Sequence, residues 1–332
     1  MTLPALTVAA AGVSLARRLE VEQAPAAFLA ASGCEVLAMT GRDVVAFLQT
    51  KLTQDTRPWP STGGGFATAT DINGRILFDL QAFAHPNGGW WLLLDAARAA
   101  EAAAHFDRYL ISEKVELEPL GATHAVVALR GAEALTRLGV APCADGTRAA
   151  TEWRGGMLLH GSLAGAATAL LVVRREAVDE ATALLLGAGF LEATPAEFEA
   201  LRIAAGRPRM GADDGGEGNG AIPLELGLWD AVSFRKGCYL GQEIIERLFS
   251  RSTPARRLMH IASSSTGLLP GAAVMAGAEQ AGVVTGVVAA ASGTEGFALV
   301  RRAFLDGSQP LEAGGAPLQL TGFVGGERPA SV

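Results

Sequence analysis

The arrangement in this chain best suited to chemistry is a cysteine set between a pair of cations and the start of a helix. It lies in Phe234-Arg235-Lys236-Gly237-Cys238-Tyr239-Leu240-Gly241-Gln242-Glu243, and the pattern that follows predicts a helix over 242–249. The thiolate is the reactive and metal-binding form of cysteine, and both the cations and the positive end of a helix dipole favour it. An ordinary thiol, with a pKa of about 8.5, is only ~3% ionised at neutral pH, so a drop of about two units would make the thiolate the major form. Burial in apolar surroundings would do the opposite and leave an inert structural cysteine. Lys236 can lower that pKa or hold an anionic group; otherwise it is a solvated lysine. Glu243 falls in the first turn of the helix, where the dipole favours a carboxylate, so capping alone explains it. Gln242 has no such structural reason, and its amide suits the edge of a heterocycle. Gly237 and Gly241 allow backbone geometry or a close ligand approach that a Cβ would block.

Six cations, Arg235, Lys236, Arg247, Arg251, Arg256 and Arg257, face only two carboxylates, Glu243 and Glu246, between residues 235 and 257, in a chain of net charge −7. Two readings stand side by side. One is a solvated helix face with Glu243 and Arg247 paired at i,i+4. The other is an anion-attracting rim that shares a side with Cys238 and suits the glutamate tail of a folate or a stretch of RNA.

Lys236 to Glu243 matches K-G-C-aromatic-x-G-Q-E at every fixed position, and on this motif the chain resembles the YgfZ family of folate-binding proteins. These are relatives of the glycine-cleavage T-protein, an aminomethyltransferase, that act in iron–sulfur cluster assembly and repair. Leu201-Arg202-Ile203-Ala204-Ala205-Gly206-Arg207-Pro208 resembles the shared L-R-x-x-x-G-x-P segment, and Ile222-Pro223-Leu224-Glu225-Leu226 the I-P-x-E-x element. Gly41-Arg42-Asp43, Phe47-Leu48-Gln49 and Thr53-Gln54-Asp55 resemble the family's first domain. The resemblance runs from about residue 35 to about residue 305.

What it implies is an α+β, three-lobed T-protein-like fold around a central cavity, with lobes discontinuous in sequence and a small β-barrel-like domain at the C-terminal end. The expected divisions are 1–118 for the first folate-binding lobe, joined by part of 200–250, and 119–200 for the second lobe. Residues 201–250 would complete the cavity, and 251–325 would form the barrel. It also implies tetrahydrofolate or a derivative as cofactor, with Arg202, Glu225, Tyr239, Gln242, Glu243, Arg247, Asp55 and Asp79 as binding residues. Cys238 and Lys236 would carry the chemistry, in a cytoplasmic protein whose partners are iron–sulfur client enzymes or assembly proteins. Arg202 is expected to be buried and paired with Glu225.

Two departures from the aminomethyltransferase pattern bear on the reaction. Where those enzymes carry G-G-I-x-D-D-L, this chain reads Gly74-Arg75-Ile76-Leu77-Phe78-Asp79-Leu80, so Phe78 replaces one carboxylate. In the segment L-R-x-E-A-G, Ala204 stands where the glutamate would be. The expectation is that aminomethyl transfer loses its acid–base and pterin-orienting groups. Folate binding should then be modest and salt-sensitive. Cys34 and Phe198 fall where relatives often place tryptophans beside the pterin.

Composition narrows the classes. The 332 residues allow two or three domains, and 49% hydrophobic with 18% charged residues describes a globular chain. The net negative charge argues against nonspecific or stable nucleic-acid binding by the whole surface. Cys34, Cys143 and Cys238 are too few and too scattered for a disulfide framework or for the four thiolates of a resident iron–sulfur cluster. The five histidines show no ligand spacing, so no metal site is expected. The apolar run 3–16 lacks a basic region before it and is too short to span a bilayer, so neither a signal peptide nor a membrane helix is expected.

Helices and hairpins alternate along the chain. Val44, Val45, Phe47, Leu48 and Leu52 mark one face of a helix opened by Gly41-Arg42-Asp43. Asn73-Gly74 between two β-prone runs predicts a hairpin over 65–84. Strands are expected at 90–94, 114–117 and 125–130, and helices at 96–110, capped by Asp95, and at 176–187. Gly211 to Gly220 reads as a flexible loop without the Lys-Ser/Thr of a phosphate-binding loop. Short strands at 258–263, 283–289 and 296–300 suggest the barrel. Three functions are open: a folate-binding accessory protein for maturation or repair of iron–sulfur enzymes, including tRNA-modifying ones; a tetrahydrofolate-dependent aminomethyltransferase or demethylase-like enzyme; or an interaction scaffold with a vestigial cavity.

Overall fold

The computed structural model describes residues 9–163, 165–215, 220–251 and 254–327. The first half of the apolar run 3–16, the centre of the glycine-rich loop and the side chain of Arg251 lie outside the described residues. Helix α1 (Leu15–Gln23) leads into a three-residue strand β1 (Ala27–Leu29). The first lobe follows: β2 (Cys34–Thr40), α2 (Val44–Lys51), α3 (Trp59–Thr62), β3 (Gly64–Thr70), β4 (Ile76–Ala84), β5 (Trp90–Asp95), α4 (Ala96–Arg108) and β6 (Glu116–Pro119). Its sheet runs β3-β4-β5-β2-β6, all antiparallel. The expected hairpin turns through Gly74 in the left-handed region (φ +74°), and Asp95 Oδ1 accepts the Ala97 N–H to cap α4.

The second lobe comprises β7 (His124–Arg130), α5 (Ala134–Arg137), β8 (Arg148–Trp153), β9 (Gly156–Gly161), β10 (Ala169–Arg174), α6 (Val178–Gly187) and β11 (Leu191–Glu192). Its sheet takes β1 as an inner strand, in the order β11-β1-β7-β10-β9-β8. The chain therefore enters the second sheet, leaves to build the whole first lobe, and returns.

Period-two side-chain alternation explains how the two sheets stack. In β2, Leu37 and Met39 point to one face, and Val36 and Ala38 to the other; β5 likewise divides Leu92 and Leu94 from Leu93. In β7 and β10, Val126, Ala128, Leu170 and Val172 join Val36, Ala38, Leu93 and Phe83 in a shared inter-sheet core. The outer faces are covered by helices: Phe106 of α4 and Phe47 of α2 over the first sheet, Ala181 and Leu185 of α6 over the second. The result is helices, sheet, sheet, helices.

Helix α7 (Pro195–Ala204) begins with a reciprocal capping box between Thr194 and Glu197 and lies across one end of the inter-sheet layer. Two 3-10 turns (Pro223–Glu225, Trp229–Ala231) and α8 (Gln242–Arg251) follow. The barrel closes over β12 (Arg256–Ser263), β13 (Ala273–Ala276), β14 (Glu279–Ala290), β15 (Gly293–Arg301), β16 (Leu311–Ala313) and β17 (Ala316–Phe323). It rests on α7, where Ile203 fills the space left by Gly286, and on Gly227, whose φ of +70° places it against the Val324 carbonyl. A Cβ at 227 would collide with that carbonyl in a conformation L-residues avoid. Gly227→Ala should therefore cost about 2–4 kcal/mol in a urea melt, while Gly326→Ala, also at positive φ but open on its Cβ side, should cost only about 1 kcal/mol.

Candidate functional site

Two places gather the residues singled out above, and they are separate. The first is a cavity of ≈490 Å³ between the two sheets, at the end covered by α7. It opens there because the facing side chains are short: Ala31, Ser32 and Gly33 from one side, Ala128, Ala166 and Ala167 from the other. Leu29, Leu93, Leu170 and Phe198 supply apolar walls, and Asp79, Gln81, Cys34, Asp95, Glu199, Arg202 and Arg209 the polar groups.

Arg202 is buried, as expected, but its partner is not Glu225. Its Nε and Nη2 donate to the two oxygens of Glu199 at 3.0 and 2.8 Å, and Nη1 donates to Asp213 Oδ2 at 2.7 Å and to the Arg207 carbonyl. Arg209 Nη2 adds a contact to Glu199 Oε1 at 3.0 Å. Burial opposes ionisation of Glu199, yet Arg202 and Arg209 hold its pKa below the usual carboxylate range. The spacing Glu199-x-x-Arg202, with Arg209 and Asp213 after it, was the sequence signal for this network. Glu225 instead accepts from Arg256 Nε at 3.2 Å and caps Ile222 in the groove beside the barrel, outside the cavity.

With Arg202 and Arg209 paired to Glu199, Asp213 and Asp95, Asp79 is the cavity carboxylate that forms no ion pair among the described residues. Burial pushes its pKa up to about 6, its own backbone amide opposing and Asp95 adding to the rise. Burial also pushes the Cys34 thiol up to about 11. Strand β4 explains why Asp79 faces in and also corrects an expectation. Phe78 points the opposite way, fully buried against Phe106 and His105 in the first lobe's helix-covered core. A carboxylate at 78 would not reach the cavity. Ala204 is exposed at the end of α7 and lines no part of it. Neither departure removes a polar group from the cavity wall.

The second place is the motif. Lys236 is buried, and its Nζ donates to the carbonyls of Gln49, Leu52 and Gln54 at 2.6, 2.6 and 2.9 Å. These carbonyls close the C-terminal end of α2, where the dipole also favours a cation. Burial pushes the Lys236 pKa down to about 8, but a neutral amine could donate only two of the three bonds, so the site is built for the ammonium. The expectation that Lys236 holds an anion or acts on the thiol is thus replaced by an anchoring role. Ser233 N–H, Gln54 Nε2 and Thr53 Oγ1 stitch the same two segments together.

Tyr239 is buried beside Lys236, 5.2 Å from Nζ to the ring centroid. Thr70 Oγ1 donates to the Leu240 carbonyl at 2.6 Å. Gly241, at φ +83°, lies against the β3–β4 turn, where a Cβ would meet the Asp71 carbonyl and, at 2.7 Å, Gly74 Cα. Between these buried anchors, Gly237 and Cys238 are exposed. The thiol is accessible as expected, but it does not line the central cavity.

The remaining candidates are also outside the cavity. Asp55 is held at about 2 by hydrogen bonds and charge from Arg57. Gln242, Glu243 and Arg247 lie on α8, with Glu243 and Arg247 exposed. The anion rim does not form as drawn. Arg256 turns to Glu225, and Arg257 is buried over the rings of Phe323 and Trp229, at 4.4 and 5.5 Å. Of the expected binding residues, the structure brings Arg202 and Asp79 to one cavity and leaves the others around the motif, α8 and the barrel groove.

This architecture is that of the glycine-cleavage aminomethyltransferases. The T-protein of Bartonella henselae superposes with a TM-score of 0.79 over 92% of this chain and 87% of that one, at 18% identity. Residues 256–322 match the CAF17 C-terminal beta-barrel domain. The human mitochondrial iron–sulfur cluster assembly factor IBA57 is 27% identical over 311 residues, 88% of this chain and 82% of its own. The tRNA-modifying protein YgfZ of Sodalis glossinidius is 25% identical over 235 residues, 70% of each chain. The Arabidopsis thaliana chloroplastic protein At1g60990, named as a transferase, shares 33% identity over 115 residues, and there the chain spans only 26% of its relative. Over most of its length the chain is thus similar to the IBA57 and YgfZ proteins, on a fold it shares with the aminomethyltransferase.

Two substitutions separate anchor from thiol. Lys236→Met should destabilise by about 3–5 kcal/mol, since it strands three carbonyls at the end of α2. Cys238→Ser, at an exposed position, should stay within about 0.5 kcal/mol of wild type in the same urea titration.

Proposed function

We propose that this chain is an accessory protein for maturation or repair of iron–sulfur enzymes, including tRNA-modifying ones, and that it holds a folate in the central cavity. The observation that carries the reading is Cys238: it is exposed, while Lys236 and Tyr239 on either side of the Gly237-Cys238 pair are buried and tied down. A structural cysteine would be packed inside. A thiol serving only a cavity-bound small molecule would face the cavity. One held outward from a rigid base suits a macromolecular partner or a cluster passed as cargo, and the names of the IBA57 and YgfZ relatives agree with this.

The cavity residues fit a pterin. Its apolar walls suit a flat heterocycle, and Asp79 offers a carboxylate to the paired N–H donors of a 2-amino-4-oxo pyrimidine edge. Phe198 and Leu93 would bound the ring, and Arg209 stands among the polar lining groups. A bound tetrahydrofolate would supply a carrier for one-carbon groups. The chain's own contribution is to orient the ring, exclude water, and keep a carboxyl near neutrality at Asp79.

That carboxyl also supports the second reading, a tetrahydrofolate-dependent transferase or demethylase-like enzyme, because a general acid works best with a pKa near the working pH. Release of a one-carbon product that Asp79→Asn abolishes would establish it.

The accessory role is tested in a strain lacking this protein, assayed for iron–sulfur enzyme activity and tRNA thiomethylation. Wild type should restore both, and Cys238→Ser, though folded, neither. Full rescue by the serine variant would overturn the proposal.

Asp79 yields a pH prediction. Its folded pKa of about 6 lies above the unfolded value of about 3.9, so its stabilising effect is complete below pH 4 and is lost as pH rises through 6. Asp79→Asn should therefore gain up to about 3 kcal/mol over wild type at pH 7, with the difference shrinking between pH 6 and 4 in paired urea melts. The same variant should bind tetrahydrofolate about ten- to a hundredfold more weakly by calorimetry, the loss of a charge-assisted hydrogen bond.

A further inference from the structure

One cluster of reactive side chains belongs to neither the cavity nor the motif. It lies on the outer face of the second sheet. The segment after α5 carries Cys143 over β9, and Cys143 Sγ lies 3.2 Å from His160 Nδ1 and 3.8 Å from the His160 carbonyl. His160 is 2% exposed. Its Nε2 lies 3.1 Å from Thr151 Oγ1 on β8. His160 pairs with Ala149 in the β8–β9 ladder, so Thr151 is its diagonal neighbour on the same face. When the threonine oxygen accepts Nε2–H, the proton is fixed on that nitrogen and Nδ1 is left as the acceptor facing the thiol.

This is a nucleophile, a base and a group that orients the base, in hydrogen-bonded order. Burial pushes the Cys143 thiol up, with a hydrogen bond from Thr147 opposing, and pushes the His160 imidazole down. The resting pair is therefore neutral, S–H to N, and separates charge only when an electrophile arrives. Access comes from the other side. Ala141, Pro142, Ala144, Asp145 and Gly146 are exposed, and Cys143 is only half-buried.

We propose that Cys143 is a second nucleophilic thiol, activated by His160, that reacts with low-molecular-weight disulfides by thiol–disulfide exchange. Cys143 Sγ attacks one sulfur of the disulfide, and its proton passes to His160 Nδ1. The new S–S bond forms as the old one breaks. The departing thiolate takes the proton back from His160, leaving a mixed disulfide on Cys143 and one free thiol. Nothing in this step depends on folate or on Cys238, so it stands apart from the function proposed above. It places a reversible thiol modification on the lobe opposite the motif's anchor in α2.

The test uses the full chain with Cys34→Ser and Cys238→Ser, so that Cys143 is the sole thiol, and glutathione disulfide as the probe. Adduct formation is followed by intact mass. At pH 7 the folded chain should react about tenfold faster than the same chain unfolded in urea, because the base offsets the ~3% ionisation of an ordinary thiol. Between pH 8 and 7 the folded rate should stay nearly level, where an unassisted thiol loses about tenfold per unit. His160→Gln should bring the rate down to the unfolded level, and Thr151→Val should fall between. A folded rate no greater than the unfolded one, a tenfold fall per pH unit, or a rate unmoved in folded His160→Gln would each overturn the proposal. If His160→Gln fails to fold by circular dichroism, the folded-to-unfolded ratio and the pH profile of the parent decide.

Discussion

A buried ammonium group is the central tie between the cysteine motif and the first lobe. Lys236 reaches the C-terminal end of α2 and gives one proton to each of three carbonyls that would otherwise be orphaned. The β3–β4 turn is then clamped from the other side by Gly241 against Gly74, and Thr70 by the Leu240 carbonyl. Cation, aromatic ring and glycine each make a different contact, and all three serve to fix the backbone around an exposed cysteine. Lys236, Tyr239 and Gly241 of the motif are therefore structural, while Cys238, Leu240 and Glu243 are its exposed side chains.

The cavity follows the opposite logic. There the inter-sheet core is left incomplete by a run of small residues, and its two arginines pair with Glu199, Asp95 and the adjoining Asp213, leaving Asp79 without an ion pair among the described residues. A carboxylate buried without a cation is a cost that packing elsewhere must cover. Such a group is the natural point of contact for a ligand with N–H donors.

Much of this was legible in the sequence. The Asn73-Gly74 hairpin, the Asp95 cap, the helix over 44–51 and the barrel strands follow from local turn chemistry and periodicity, which act over a few residues. The motif was legible because its spelling is dense. What escaped was direction. Whether position 78 or 79 faces the cavity depends on which face of β4 the helices cover, a tertiary fact. Arg202 found Glu199 one turn back on its own helix, a partner the i,i+3 spacing offered, and Asp213 after the chain bend, while Glu225 went to Arg256; those last two pairings are tertiary and follow from no local spacing. Cys238 was expected to face the cavity because its neighbours looked like ligands, whereas they are anchors.

The early strand β1 has a consequence for how the molecule is made. Ala27–Leu29 is an inner strand of the second sheet, yet its neighbours β7 and β11 come roughly a hundred and more residues later. During synthesis it must wait, apolar and unpaired, until the whole first lobe has emerged. If that lobe folds first, its sheet brings residue 34 beside residue 95 and residue 37 beside residue 119. The long loop between β1 and β7 is thereby shortened to a few free residues at either end, which cuts the entropy of closing it. The first lobe is thus a folding tool for the second, and mutations that slow its assembly should expose β1 to the wrong partners long before they disturb any finished site.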